Sequence, residues 1–144
     1  MDGGEKLIAL NEIFVGHRSH QSARYRIAVA DVQEDHSSSG LIVASGTGAT
    51  GWARSIMEAT GTQLAIAPAE KAVAYFVREP FPSVATGTSL RAGKLINDRL
   101  EITSRMNDGG TIFADGMEQD HIAFDWGRRI TIAPASRALR LVTA

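Results

Sequence analysis

SGLIVASGTGATGWARS, residues 39–55, runs from a continuous apolar segment through a glycine-rich turn into a helical pattern. The run at 40–44 (GLIVA) has no polar alternation, which suits a strand covered on both faces. Over 51–60 (GWARSIMEAT), Trp52, Ile56 and Ala59 recur at i, i+4 and i+7 and so share one helical stripe. Thr50 is placed to cap the start of that helix and Gly61 to stop it. Gly46, Gly48 and Gly51 allow the backbone to approach a ligand closely. Unpaired amides and the positive dipole end at the helix start favour an anion or a ribose-phosphate. Thr47 and Thr50 add hydroxyls that both donate and accept hydrogen bonds. A strand-to-helix turn that needs glycine for geometry alone accounts for the same residues.

Gly46-x-Gly48-x-x-Gly51 also satisfies the dinucleotide fingerprint, with Glu70 about 20 residues further on. The rest of the chain argues against a doubly wound domain, which would keep alternating strands with helices. After residue 70 the pattern has period two. In 98–106 (DRLEITSRM), Leu100, Ile102, Ser104 and Met106 fall on one face, and Arg99, Glu101, Thr103 and Arg105 on the other. The same alternation marks Tyr25–Ile27–Val29, Val73–Tyr75–Val77, Ile122–Phe124–Trp126 and Ile130–Ile132. Asn107-Asp108-Gly109-Gly110, Asp115-Gly116 and Gly127 supply the turns between them. Residues 86–94 read as the long surface loop. Together these features predict a mainly β, multi-stranded sandwich-like domain with one short helix.

At 144 residues the chain is the size of a single domain. A formal net charge of −1 offers no electrostatic footprint for nucleic acid or an anionic membrane. With no cysteine, the chain has no disulfide, thiolate metal site or thiol nucleophile. Apolar runs fall short of the ~20 residues a membrane helix needs, and MDGGEK at the start is no signal peptide. A soluble, cytoplasmic domain is the expectation.

Several polar groupings invite chemistry. His17-x-x-His20 lacks the glutamate of a zinc hydrolase, and all four histidines (His17, His20, His36, His121) read as exposed loop residues rather than metal ligands. Glu34-Asp35-His36 followed by Ser37–Ser39 evokes a triad, but the sequence has no nucleophile elbow. The basic residues His17, Arg18, Arg24 and Arg26 suit phosphate, although a solvated strand face is the simpler explanation. Asn11 and Glu12 interrupt an apolar strand pattern (Leu7–Leu10, Ile13–Val15). Buried polar groups are costly unless satisfied, so this pair calls for a partner or a ligand.

Segment 40–55 resembles the strand–turn–helix signature of the NAD kinase family, usually written DGLxxxTPTGSTAYxxS, with Gly40, Leu41, Thr47, Gly48, Thr50 and Ser55 matching. Asn11-Glu12 is similar to that family's Asn-Glu element. The stretch 78–80 (REP) resembles its Arg-Pro element, 111–116 (TIFADG) its Asp-Gly hairpin, and 128–136 its closing strand. These elements keep the family's order across nearly the whole chain. Ser39, Gly46, Ala49 and Gly51-Trp52 depart from the signature, where the family has Asp, Pro, Ser and Ala-Tyr; a divergent branch with an altered acceptor is implied.

The resemblance implies the C-terminal, nucleotide-binding and oligomerisation domain of such a kinase, spanning 1–144. Asn11 and Glu12 would contact the ribose or adenine of NAD. Thr47, Gly48 and Thr50 would hold the nucleotide from the turn, with Ser55 one helical turn on. Trp52 would stack on a base or, more plainly, belong to the core. The family's Gly-Gly-Asp-Gly-Thr motif, whose Asp is the catalytic base, does not occur in these 144 residues. The expectation is therefore a fragment inactive alone, while the full-length enzyme phosphorylates NAD to NADP with ATP and its Mg. A dimer or tetramer is implied as well. The alternatives are a relative acting on a sugar or a lipid, or a non-catalytic ligand-sensing or assembly module.

Overall fold

A computed structural model describes residues 4–137 of the chain. Its first strand, β1 (Glu12–His17), begins at the Asn-Glu pair, and β2 (Ala23–Val29) and β3 (Val32–Ser38) form a hairpin after it. β4 (Leu41–Ser45) is the apolar run, followed by a 3-10 turn at Gly48–Thr50 and the helix α1 (Trp52–Thr60); a second 3-10 turn lies at Glu118–Asp120. Six further strands follow: β5 (Val73–Val77), β6 (Ala92–Leu95), β7 (Leu100–Ser104), β8 (Gly110–Ala114), β9 (Ile122–Ala123) and β10 (Arg129–Ile132).

These strands form two sheets, ordered β6-β5-β4-β1-β8-β9 and β10-β7-β2-β3, with antiparallel pairings throughout. β4 lies antiparallel to both β1 and β5, which disposes of the doubly wound reading. The sheets pack face to face over one core. Val15, Leu41, Val43, Tyr75, Val77 and Ile112 come from the larger sheet; Tyr25, Ile27, Leu100, Ile102 and Ile130 come from the smaller. The mainly β sandwich with one short helix is thus the observed architecture.

The opposite face of the larger sheet is also covered. Ala44, Ala74 and Phe76 pack with Ala53 of α1, while Phe14, Ile42 and Phe113 meet Trp52 and Ile56. Leu41 to Ala44 are therefore buried without alternation, as the apolar run requires. The smaller sheet has one wet face, so β7 keeps strict alternation: Leu100, Ile102 and Ser104 are buried, and Glu101 is exposed.

Local expectations need correction where tertiary packing decided otherwise. Gly51, not Thr50, is the helix N-cap, and no side chain caps it. Gly61 does end the helix, in the left-handed region at φ 70°. Ala53 and half-buried Met57 join Trp52 and Ile56 on the packed face, whereas Ala59 is exposed. The surface loop is cut short by β6 at Ala92. The Ile122–Trp126 alternation pairs only through Ala123, and Trp126 is exposed. His36 lies fully inside β3, contrary to the exposed loop expected for it.

Candidate functional site

Asn11 and Glu12 enter the larger sheet beside the glycine-rich turn. Asp115, in the left-handed region at φ 52° before Gly116, turns its carboxylate back onto them. Its oxygens accept from the backbone N–H groups of Leu10 (2.9 Å), Asn11 (2.7 Å) and Glu12 (3.2 Å). The carbonyl of Asn11 accepts from Ser45 N–H at 2.9 Å, and the Ser45 hydroxyl donates to Leu10 O at 2.5 Å. That same hydroxyl accepts from Gly48 N–H at 3.2 Å. Ser45 and Asp115 are the residues that sequence reasoning missed. Asp115 was visible only as turn chemistry; its carboxylate's target lies over a hundred positions away.

Two of the turn's glycines are required by packing within the protein. A Cβ at Gly48 would collide with the carbonyl of Asn11, and one at Gly46 with that of Ala67. Both glycines therefore allow close packing of protein backbone. Asn11 and the turn abut rather than face each other across a cleft, so they form one continuous surface. Thr47 and Thr50 are exposed on it, and the Thr50 hydroxyl donates internally to Thr47 O at 3.0 Å. Beyond the turn, an open groove is lined by Gly46, Ala49, Thr50, Met57, Leu64 and Ile66.

Trp52 leaves this surface for the core. Its ring stacks on Phe14 with centroids 5.9 Å apart and planes 8° apart, and the Arg78 guanidinium lies 5.0 Å from its centre. The core alternative for Trp52 is the one the packing favours. Ser55 is exposed on the helix. Of the seven expected residues, the fold thus joins Asn11, Glu12 and Gly48 directly and sets Thr47 and Thr50 beside them.

Glu12 is the electrostatically unusual member. Loss of solvation, and then the negative charge of Asp115, hold its carboxyl above the usual glutamate range. Among the described residues, neither its carboxyl nor the Asn11 amide has a hydrogen-bond partner. No group of three His, Cys, Asp or Glu side chains there is arranged to hold a metal ion, so these residues form no cage for a resident magnesium. No described helix is long and apolar enough to cross a membrane.

The triad-like segment resolves differently. Glu34 and His36 point inward on β3 and Asp35 outward to Arg26. His36 Nε2 donates to Glu34 at 2.5 Å, its Nδ1 lies 3.3 Å from the Tyr25 hydroxyl, and that hydroxyl is 2.9 Å from Ser38 Oγ. Tyr25, His36 and Ser38 are sealed from solvent, so no substrate reaches them.

No protein-family model and no curated protein matches the sequence. Solved structures do match its fold. An NAD kinase from Archaeoglobus fulgidus, solved in complex with ATP, aligns with a TM-score of 0.67 at 24% identity, over 90% of this chain and 47% of that one. Yeast NADH kinase complexed with NADH aligns with a TM-score of 0.66 at 20% identity, over 90% of this chain and 36% of that one. The chain therefore has the fold of part of an NAD kinase and spans less than half the length of either enzyme.

Proposed function

We propose that the chain is the nucleotide-binding domain of an NAD kinase-like protein, and that Asn11, Glu12 and the turn at 47–50 form its nucleotide surface. The observation that carries this reading is the junction of Asn11 with Gly48. Two polar elements far apart in sequence meet there; among the described residues the Asn11 side chain has no hydrogen-bond partner, and Thr47 lies exposed beside it. The Asn11 amide and the Glu12 carboxyl supply the donors and acceptors that a ribose or an adenine edge requires. Next to them, the first turn of α1 has no side-chain cap, and a helix N-terminus favours a phosphate. The fold is shared with kinases solved with ATP and with NADH, which supports a nucleotide over other ligands.

Phosphorylation of NAD to NADP with ATP and its magnesium would be the work of a longer protein. Phosphoryl transfer is chiefly positioning and charge stabilisation around the γ-phosphate. The 144 residues contain no Gly-Gly-Asp-Gly-Thr motif, so the chain alone is expected to be inactive. Self-association to a dimer or tetramer, and a cytoplasmic setting, belong to the same proposal. Calorimetric titration with NAD, NADP and ATP tests it. A saturable heat, weakened about tenfold or more by Asn11→Ala, is expected from losing one amide's hydrogen bonds to a ligand. No heat with any of the three would leave the reading without support.

One observation favours a second reading, a non-catalytic assembly or sensing module. Trp52, the ring the resemblance offers to a base, is already engaged by Phe14 and Arg78. That reading expects self-association by sedimentation with no nucleotide heat.

A further inference from the structure

The outer face of the four-stranded sheet carries an arrangement that the nucleotide surface does not use. Alternation sends Ala23, Tyr25 and Ile27 inward on β2, and Arg24 and Arg26 outward. On β7 it sends Glu101 and Thr103 outward, with Arg105 next in that series. Arg26 lies opposite Asp35, and the two satisfy each other: Nε and Nη2 donate to the two carboxylate oxygens at 2.8 and 3.0 Å. One step along, Tyr25 pairs with Ser104, so Arg24 stands opposite Arg105, whose N–H donates to the Arg24 carbonyl at 2.9 Å. Ser37 flanks Arg24 on its other side.

Two guanidinium side chains therefore oppose each other directly across an antiparallel pair, a position where like charges destabilise. Among the described residues, neither has a carboxylate within ion-pair distance. Asp35 is committed to Arg26 and senses Arg105 only through space. Arg105 Nε is buried with no hydrogen-bond partner among these residues. Its guanidinium lies 5.5 Å from the ring centre of Trp126, which is 59% exposed. A row of Trp126, Arg105, Arg24 and Ser37 thus crosses the wet face with neither cation in an ion pair among the described residues.

We infer that Arg24 and Arg105 clasp the phosphoryl group of a small ligand on this face. An anion between the guanidiniums converts their repulsion into two attractions, and each fork matches phosphate oxygens bidentately. The Ser37 hydroxyl stands at the edge of the row to donate to the same group. The Trp126 ring offers a flat surface for an attached base or sugar.

Indole N–H resonances provide the test. The chain has two tryptophans, so Trp126→Phe assigns the signal. Titration with inorganic phosphate, and separately with adenosine monophosphate, at constant ionic strength should shift the Trp126 resonance saturably. Arg24→Gln and Arg105→Gln should each weaken that response about tenfold or more, as loss of a charged hydrogen-bond donor does. Each variant removes one of two opposed like charges, so both should melt at or above the wild-type temperature without phosphate. Phosphate should raise the wild-type melting temperature more than that of the double variant. Tighter binding of the nucleotide assigns the site to nucleoside monophosphates, and equal binding assigns it to the phosphate group alone; either upholds the inference. A shift that never saturates, or one that survives in the double variant, overturns it. Asn11→Ala should leave this titration unchanged, so the nucleotide surface and this site stand or fall separately.

Discussion

Glu12 and Glu34 are both half-buried strand carboxylates, yet the fold moves their proton affinities in opposite directions. Glu12 loses solvation and faces the negative Asp115 without an observed donor, so its carboxyl is held above the ordinary range. Glu34 also loses solvation, which alone would raise it. Donation from Leu90 N–H (3.0 Å), His36 and Ser89 N–H (3.1 Å) outweighs that and leaves it below the ordinary range. The difference lies in partners, not depth. A carboxylate surrounded by its own donors is structural: Glu34 ties β3 to the segment leading into β6, and the sealed Tyr25–His36–Ser38 network stands behind it. A partly desolvated carboxylate without donors carries an unfavourable term that Glu34 does not.

Removing Glu34 should have the largest effect. Glu34→Ala leaves His36 and two backbone N–H groups of the loop unpaired, and a loss of about 3 kcal/mol is expected in urea unfolding. Next comes Trp52→Ala, which strips the Phe14 stack and the Arg78 contact; about 2 kcal/mol should be lost. A loss below 0.5 kcal/mol, within the range of ordinary surface changes, would return Trp52 to the ligand side of the comparison.

Acid titration of stability sharpens the contrast. The lowered Glu34 contributes stability above its ordinary value of 4.5, and this is lost as pH falls through its folded value. The raised Glu12 works the other way. It penalises the folded state above its folded value, and the penalty lifts as pH falls from there toward 4.5. Urea midpoints should therefore rise slightly on acidification toward 4.5 and then drop, and Glu12→Gln should abolish the rise alone. The smallest effect is Glu12→Gln at neutral pH, a gain of about 0.5 kcal/mol measured by the same unfolding. A loss there would show that Glu12 has a partner after all.

The turns, the apolar run of β4, the helix and the strict alternation of β7 were all legible, because each is written within a few neighbouring residues. β3 was harder to read. Its sequence VQEDHSS looks like polar loop, but Glu34, His36 and Ser38 alternate inward and are satisfied by Tyr25 and by a loop some fifty residues away. The site divides in the same way. Asn11 and Glu12 stood out by breaking a local pattern, whereas Ser45 and Asp115 bind them through contacts no local pattern records.

Period and turn chemistry act over short range, so the fold class and the place of α1 were readable from the residues alone, whereas the apolar strand expected at Leu7–Leu10 is absent: Ile8 and Leu10 are exposed and β1 starts at Glu12. Only the tertiary structure decided which polar groups are satisfied, why Gly46 and Gly48 must lack a Cβ, and that Arg24 meets Arg105. Hydrogen bonding and charge depend on what lies a few ångströms away in space, and strand register, not sequence distance, sets that.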